Sequence, residues 1–177
     1  NHISLEESIS YLFPEISKEW HPTKNHPLIP KYFLPGSNKK VWWKCSKGED
    51  HEWESQIADR CLNNTGCAVC SNKKIVLSNC LAKLNPELAH QWHPSKNGKL
   101  TPYDVGIGSN KKVWWKCAKG DDHVWRTSVT HRTQRGQGCP ICSNKIIVQS
   151  NCLAKLNPNL AKQWHPTKNK ELTPNDV

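Results

Sequence analysis

At 177 residues, with 36% hydrophobic content, two Phe and no Met, the chain is lean for one large core and suits two or three small units. No stretch approaches the roughly 20 apolar residues that span a bilayer, and the N-terminus lacks a basic region followed by an apolar run. These features argue against membrane and secreted classes and for an intracellular protein, in cytoplasm or nucleus. The formal net charge of +10, nine Cys and nine Trp point instead to small metal-held units with a basic surface. A start at Asn1 without any Met reads as a piece of a longer or processed protein.

Along the chain, Pro14–Trp20 reads as a short helix, with Pro at the first helical position, an acidic first turn and a Trp-His-Pro stop at Trp20-His21-Pro22. Lys39–Cys45 and His51–Ile57 read as two strands around a tight connection, followed by a Cys-x-x-Cys loop at Cys67 and Cys70. The pattern then returns at a fixed period. Trp-His-Pro opens at Trp20, Trp92 and Trp164, each 72 residues after the last, and the same offset carries the first strand pair onto Lys111–Cys117 and His123–Val129. Leu81–Leu84 leads into a helix beginning at Asn85-Pro86-Glu87, and its third equivalent spans Pro158–Trp164. Between positions 77–105 and 149–177, 22 of 29 residues are identical, and the third copy stops before its Trp-Trp-Lys-Cys would occur. The expected architecture is therefore small α+β zinc-binding repeats in tandem, each a metal-bearing β-hairpin with short helices: 5–76, 77–148, and the front half of a third over 149–177. The first copy is the most divergent, as terminal repeats often are.

Each complete copy reads Cys-x5-His, a 15-residue interval, then Cys-x2-Cys: Cys45, His51, Cys67, Cys70, and Cys117, His123, Cys139, Cys142. Two ligands from each of two turns meet the tetrahedral demand of structural zinc, and thiolate-rich sets favour zinc or an iron–sulfur cluster over hard cations. Two Zn2+ per chain are expected. A redox Cys-x-x-Cys would sit in a βαβ setting that is missing here, and a disulfide framework fits no better. Cys61, Cys80 and Cys152 align with Thr133 or Ser8, so they read as lying outside the ligand sets. His21, His93 and His165 recur in Trp-His-Pro as rival ligands, but the third has no cysteines downstream, which favours a packing or hydrogen-bonding role. Four protein ligands fill the tetrahedron and leave no open position for catalysis.

The run Ser95-Lys96-Asn97-Gly98, Leu100-Thr101-Pro102, Gly108-Ser109, Val113-Trp114-Trp115-Lys116-Cys117, His123-x-Trp125, Arg132 and Gly138-Cys139-Pro140-x-Cys142 resembles the tandem "probable zinc-ribbon" domain family, related to treble-clef fingers. The resemblance covers nearly the whole chain. Some members of that family are joined to Vsr-like endonuclease domains, so it implies nucleic-acid work by a module of a larger protein such as a nuclease. The first copy departs from the pattern at Ala68, where the second has Pro140.

Charge singles out the second copy: positions 5–76 hold ten basic against nine acidic residues, 77–148 eleven against four, and 149–177 four against two. Strand alternation places Val113, Trp115 and Cys117 on one face and Lys112, Trp114 and Lys116 on the other. Trp115 and Trp125 then belong to the zinc core, while Trp114 between two lysines suits base stacking with cations on phosphate. Trp114 packed under a helix, against Trp92, is the competing arrangement. Across the hairpin the outward face carries Glu52 and Glu54 in the first copy but Val124 and Arg126 in the second. The segment 130–138, with Arg132 and Arg135, reads as a donor-rich flexible loop. The expected function is a structural-zinc module binding nucleic acid, DNA rather than RNA, through Lys112, Trp114, Lys116, Arg126, Arg132 and Arg135. The alternative is a zinc-stabilised protein–protein interaction scaffold whose Trp faces dock a partner. No recurring acid, base or nucleophile set remains to make this segment an enzyme.

Overall fold

The computed structural model describes residues 3–177 and divides into two compact units, ending and beginning at Asn79 and Cys80. In the first unit, α1 (Ile9–Leu12) and α2 (Pro14–Lys18) precede an antiparallel hairpin of β1 (Lys40–Lys44) and β2 (Glu52–Gln56), and α3 (Ile57–Cys61) follows. The second unit repeats this with α4 (Leu81–Leu84), α5 (Pro86–Ala89), β3 (Lys112–Lys116), β4 (Val124–Ser128) and α6 (Val129–Thr133). It continues into α7 (Leu153–Leu156) and α8 (Pro158–Ala161), the helices of the third copy's front half.

The helices are short because each is bounded by its own chemistry. Pro86 opens α5 at a position whose N–H needs no partner, and the Asn85 side chain accepts the Leu88 N–H at 3.1 Å. Asn157 and Leu160 repeat the cap in α8, whereas Phe13 ahead of α2 offers no such bond. The strands are each one residue shorter at both ends than the sequence pattern suggests. The loop expected over 130–138 begins as α6, because Ser128 caps that helix by accepting the His131 N–H at 3.4 Å.

The Trp-His-Pro turn is what joins helices to hairpin. Gln91 accepts the Lys116 N–H at 2.7 Å and His93 donates to the Trp114 carbonyl at 3.0 Å, so the turn runs along the outer edge of β3 as a third, irregular strand. Asn97 completes the edge: its Oδ1 accepts the Trp114 N–H at 2.8 Å and its Nδ2 donates to the Trp114 carbonyl at 2.9 Å. Asn25 grips Trp42 in the same way. The edge strand's polar groups are thereby satisfied without a further β-strand.

Strand alternation then sets the core. Val113 and Trp115 point inward with Trp125, Val129, Leu81, Leu88 and Val105; Val41, Trp43, Trp53, Ile57 and Ile9 do so in the first unit. Trp43 and Trp115 are fully buried and meet Trp20 and Trp92 edge to face, at 5.5 and 5.4 Å between centroids. Each buried indole contributes roughly 4–6 kcal/mol of transfer free energy. Its N–H is not wasted: Trp115 donates to Thr127 and Trp92 to Leu100, both at 3.1 Å. Trp92 packs against Trp115 rather than Trp114, which leaves Trp114 on the other face.

Candidate functional site

Three sulfurs and one imidazole converge at the turn end of each hairpin. Cys45, His51, Cys67 and Cys70 form one cluster and Cys117, His123, Cys139 and Cys142 the other, with their ligand atoms all within 4.8 Å of one another. The hairpin supplies the first two residues at its turn, and the Cys-x-x-Cys loop the other two. Sγ of Cys45 and Cys70 are 3.8 Å apart, and His51 Nδ1 lies 3.8 Å from Cys67 Sγ and 3.3 Å from Cys70 Sγ. The second cluster repeats these as 3.8, 3.7 and 3.3 Å. Thiolates about 2.3 Å and an imidazole about 2.0 Å from one centre have tetrahedral edges of roughly 3.5–3.8 Å, so the donor atoms fit Zn2+. Desolvation and the neighbouring sulfurs push the Cys70 and Cys142 thiols up to about 11, as expected where three sulfurs crowd together. Four protein donors fill a tetrahedron, which makes these structural zinc sites.

Residues that sequence reading passed over complete the sites. His123 points Nδ1 at the sulfurs and Nε2 at Ser150, whose Oγ is 3.2 Å away; His51 faces Ser78 Oγ at 3.3 Å. Asp122 Oδ2 accepts the Ser150 N–H and Asp50 Oδ2 the Ser78 N–H, both at 2.8 Å, and these serine bonds hold both carboxyls below their usual range. Gly48 and Gly120 are needed for close approach, because a Cβ there would stand 2.5 and 2.6 Å from the ligand His Cδ2. The recurrence of Gly-x-Asp-His at the 72-residue period is the signal that could have found them.

The remaining sequence candidates fall outside the clusters. Nδ1 of His21, His93 and His165 accepts two backbone N–H groups of the following turn, at 3.1 to 3.3 Å. These histidines are turn caps. Cys61, Cys80 and Cys152 are buried and belong to neither ligand set.

Arg132 requires a correction. It lies on α6 with 8% exposure, between Trp115 and Trp125 at 4.8 and 4.9 Å from their ring centroids, and it donates to Gln91 at 2.7 Å. A loop residue expected at the surface is thus an interior cation. Burial lowers its pKa, while the nearby Cys139 and Cys117 sulfurs act in the opposite direction. Arg60 occupies the same place beside Trp43 and Trp53, bonded to Glu19 and to the Thr65 carbonyl.

The other basic candidates are exposed to different degrees. Trp114 faces Arg126 across the hairpin, and both line a cleft of about 750 Å³ together with Arg135, Lys145 and residues 136–140. Lys112 is exposed opposite Ser128, and Lys116 pairs with Asp121 at 3.1 Å; neither lines the cleft. In the first unit Glu54 faces Trp42, and Glu52 meets Lys24, His21 and Lys44 at 2.5, 3.0 and 3.5 Å. The Lys24 ammonium, with the His21 imidazole, holds the Glu52 carboxyl down to about 2, so this face carries its own counter-charge.

Among the described residues no helix is long and apolar enough to cross a membrane. No curated protein matches the chain. The model of the probable treble clef zinc finger domain matches residues 16–73 and again 88–145, spans that contain the two hairpins and all eight donor residues. With geometry and family model in agreement, the chain belongs to the probable treble clef zinc finger family and carries two such domains in tandem.

Proposed function

We propose that this is a nucleic-acid-binding module in which structural zinc holds a basic and aromatic cleft in shape, acting on DNA ahead of RNA within a longer protein such as a nuclease. The observation that carries this reading is the meeting of Trp114, Arg126, Arg135 and Lys145 in one cleft of the second unit. An indole supplies a stacking surface and guanidiniums supply forked donors for phosphate oxygens. The second copy also carries the excess positive charge, eleven basic against four acidic residues over 77–148. The preference for DNA rests on the resemblance to modules joined to Vsr-like endonucleases. Lys112 and Lys116 serve as rim charges in this reading, and Arg132 acts from the interior by supporting Trp115 and Trp125.

The test is a titration of the zinc-loaded chain with labelled DNA and RNA oligonucleotides across a salt series. Phosphate neutralisation makes log K fall linearly with log salt, by close to one for each phosphate engaged. Binding that is undetectable, or that does not respond to salt, overturns the reading and leaves the protein-interaction scaffold.

A further inference from the structure

We infer that the second-unit cleft takes an unstacked nucleobase against Trp114, so that the preferred target is single-stranded rather than closed duplex. This rests on the nucleic-acid reading of the same cleft and adds which form of nucleic acid it accepts.

Shape is the first argument. A duplex keeps its bases stacked inside and is read by an element that protrudes into a groove about 12 Å wide. Among the described residues no helix exceeds five residues, about 7.5 Å in length, and the second-unit hairpin has one face in the core, its outer edge taken by the Trp-His-Pro turn and its tip held at the Cys3His cluster, so it does not stand free as a ribbon. Arg126, Arg135 and Lys145 instead line a concavity of about 750 Å³ that has an indole in its wall. A base reaches an indole in such a recess only when it has left the stack.

The comparison of the two copies is the second argument, because it isolates the indole. Trp42 has Lys24 at 4.3 Å and Lys74 at 5.8 Å from its ring centroid, and Lys74 is fixed by donating to the Glu52 carbonyl at 2.5 Å. At the position matching Lys74 the second copy has Ile146, an exposed residue on the cleft wall. Trp114 keeps the ammonium that matches Lys24, Lys96 at 4.9 Å, and lacks the other. Over the same cleft Glu54 becomes Arg126 and Asn63 becomes Arg135. The indole of the second copy therefore has one ammonium fewer over its ring, where the cleft has gained two guanidiniums.

The backbone of the cleft is approachable as well. A Cβ at Gly136 or Gly138 would meet nothing within 4 Å, so the main chain there is open to a ligand's polar edge.

Ile146→Lys gives a test in which charge and stacking predict opposite signs. The new ammonium is positioned to donate to the Val124 carbonyl and stand beside Trp114, as Lys74 does beside Trp42. If phosphate attraction alone governs binding, added positive charge tightens it. If the indole stacks a base, covering it weakens binding to a labelled oligothymidine or oligouridine by at least about fivefold, while binding to a hairpin duplex holds or tightens. Trp114→Ala is expected to weaken the single strand by between about five- and a hundredfold. Because that change could disturb the fold, zinc content and circular dichroism accompany it, and the exposed Ile146 position carries the decision. A duplex bound as tightly as either single strand, or an Ile146→Lys protein that binds both forms more tightly, overturns the inference and leaves the nucleic-acid reading standing. Absence of binding to every oligonucleotide fails both.

Discussion

Ser150 places its hydroxyl 3.2 Å from Nε2 of His123, although it stands 27 residues later in the chain and belongs by sequence to the third copy. Its N–H also fixes Asp122 at 2.8 Å. The outer shell of the second zinc site therefore comes from the start of the next repeat, as Ser78 supplies it for the first. Such partners orient a ligating imidazole and set its tautomer. Ser150→Ala combined with Asp122→Asn is expected to weaken zinc retention by about 10- to 100-fold at the second site. A chelator competition that reads both sites would show one unchanged and one weakened; two unchanged sites would contradict this.

Gly120 sits against His123 more closely than any other residue type could. Gly120→Ala would bring its Cβ to 2.6 Å from the ring and push the ligand off position. A loss of roughly 1–3 kcal/mol is expected, with weaker zinc binding. Gly138→Ala is the internal control, since that Cβ meets nothing within 4 Å. Thermal unfolding of the two zinc-loaded variants should separate them clearly.

Cysteines of two kinds can be told apart by substitution. Cys139→Ala removes a donor from the cluster and should release zinc from the second unit, because ligation supplies much of the folding energy of a small metal domain. Cys152→Ser should change little. Cys152 Sγ donates to the Gln149 carbonyl at 3.3 Å, and Ser8 already makes the matching bond to Leu5 at 2.6 Å. Metal analysis and chelator-induced unfolding of both proteins check this: equal zinc loss would show that Cys152 has a larger part.

Arg132 links the metal site to the aromatic core. Three thiolates with Zn2+ leave a net negative centre, and the guanidinium between Trp115 and Trp125, which interacts with the Cys139 and Cys117 sulfurs, places a buried positive charge against it. Arg132→Leu is expected to cost roughly 2–4 kcal/mol of stability. Arg132→Lys keeps the charge but not the planar stacking on two indoles, so it should fall between. Calorimetry of the zinc-loaded proteins measures both, and an Arg132→Leu protein as stable as the parent would remove the interior role.

The zinc ligands and the inward or outward placement of Trp115 and Trp114 are legible in the sequence, because the 72-residue repeat doubles every spacing and a strand alternates its faces. Arg132 is not, since position 132 looks like a polar loop until Ser128 caps a helix there and turns the side chain inward. Asn97 and Gly120 recur as plainly as the cysteines, but a backbone grip and a missing Cβ matter only once the turn has folded against them. The cleft itself joins residues from β3, β4 and the segment around Arg135 and Lys145, and no periodicity connects those.

The asymmetry between copies yields the sharpest test of where the proposed nucleic-acid binding would occur. Arg126 and Arg135 line the second-unit cleft, whereas the matching first-unit positions hold Glu54 and Asn63. Lys44 already has Glu52 at 3.5 Å, and Lys40 lies exposed opposite Gln56. Replacing Arg126 and Arg135 together by Glu should therefore weaken nucleic-acid binding more than the same change at Lys40 and Lys44. For every phosphate that is no longer neutralised, the slope of log K against log salt should become shallower by about one, so the second-unit variant should give up to about two from its slope. Affinities of both double variants measured across one salt series decide the matter. Equal losses of affinity, or larger losses from Lys40 and Lys44, would place the binding face in the first unit or spread it over both.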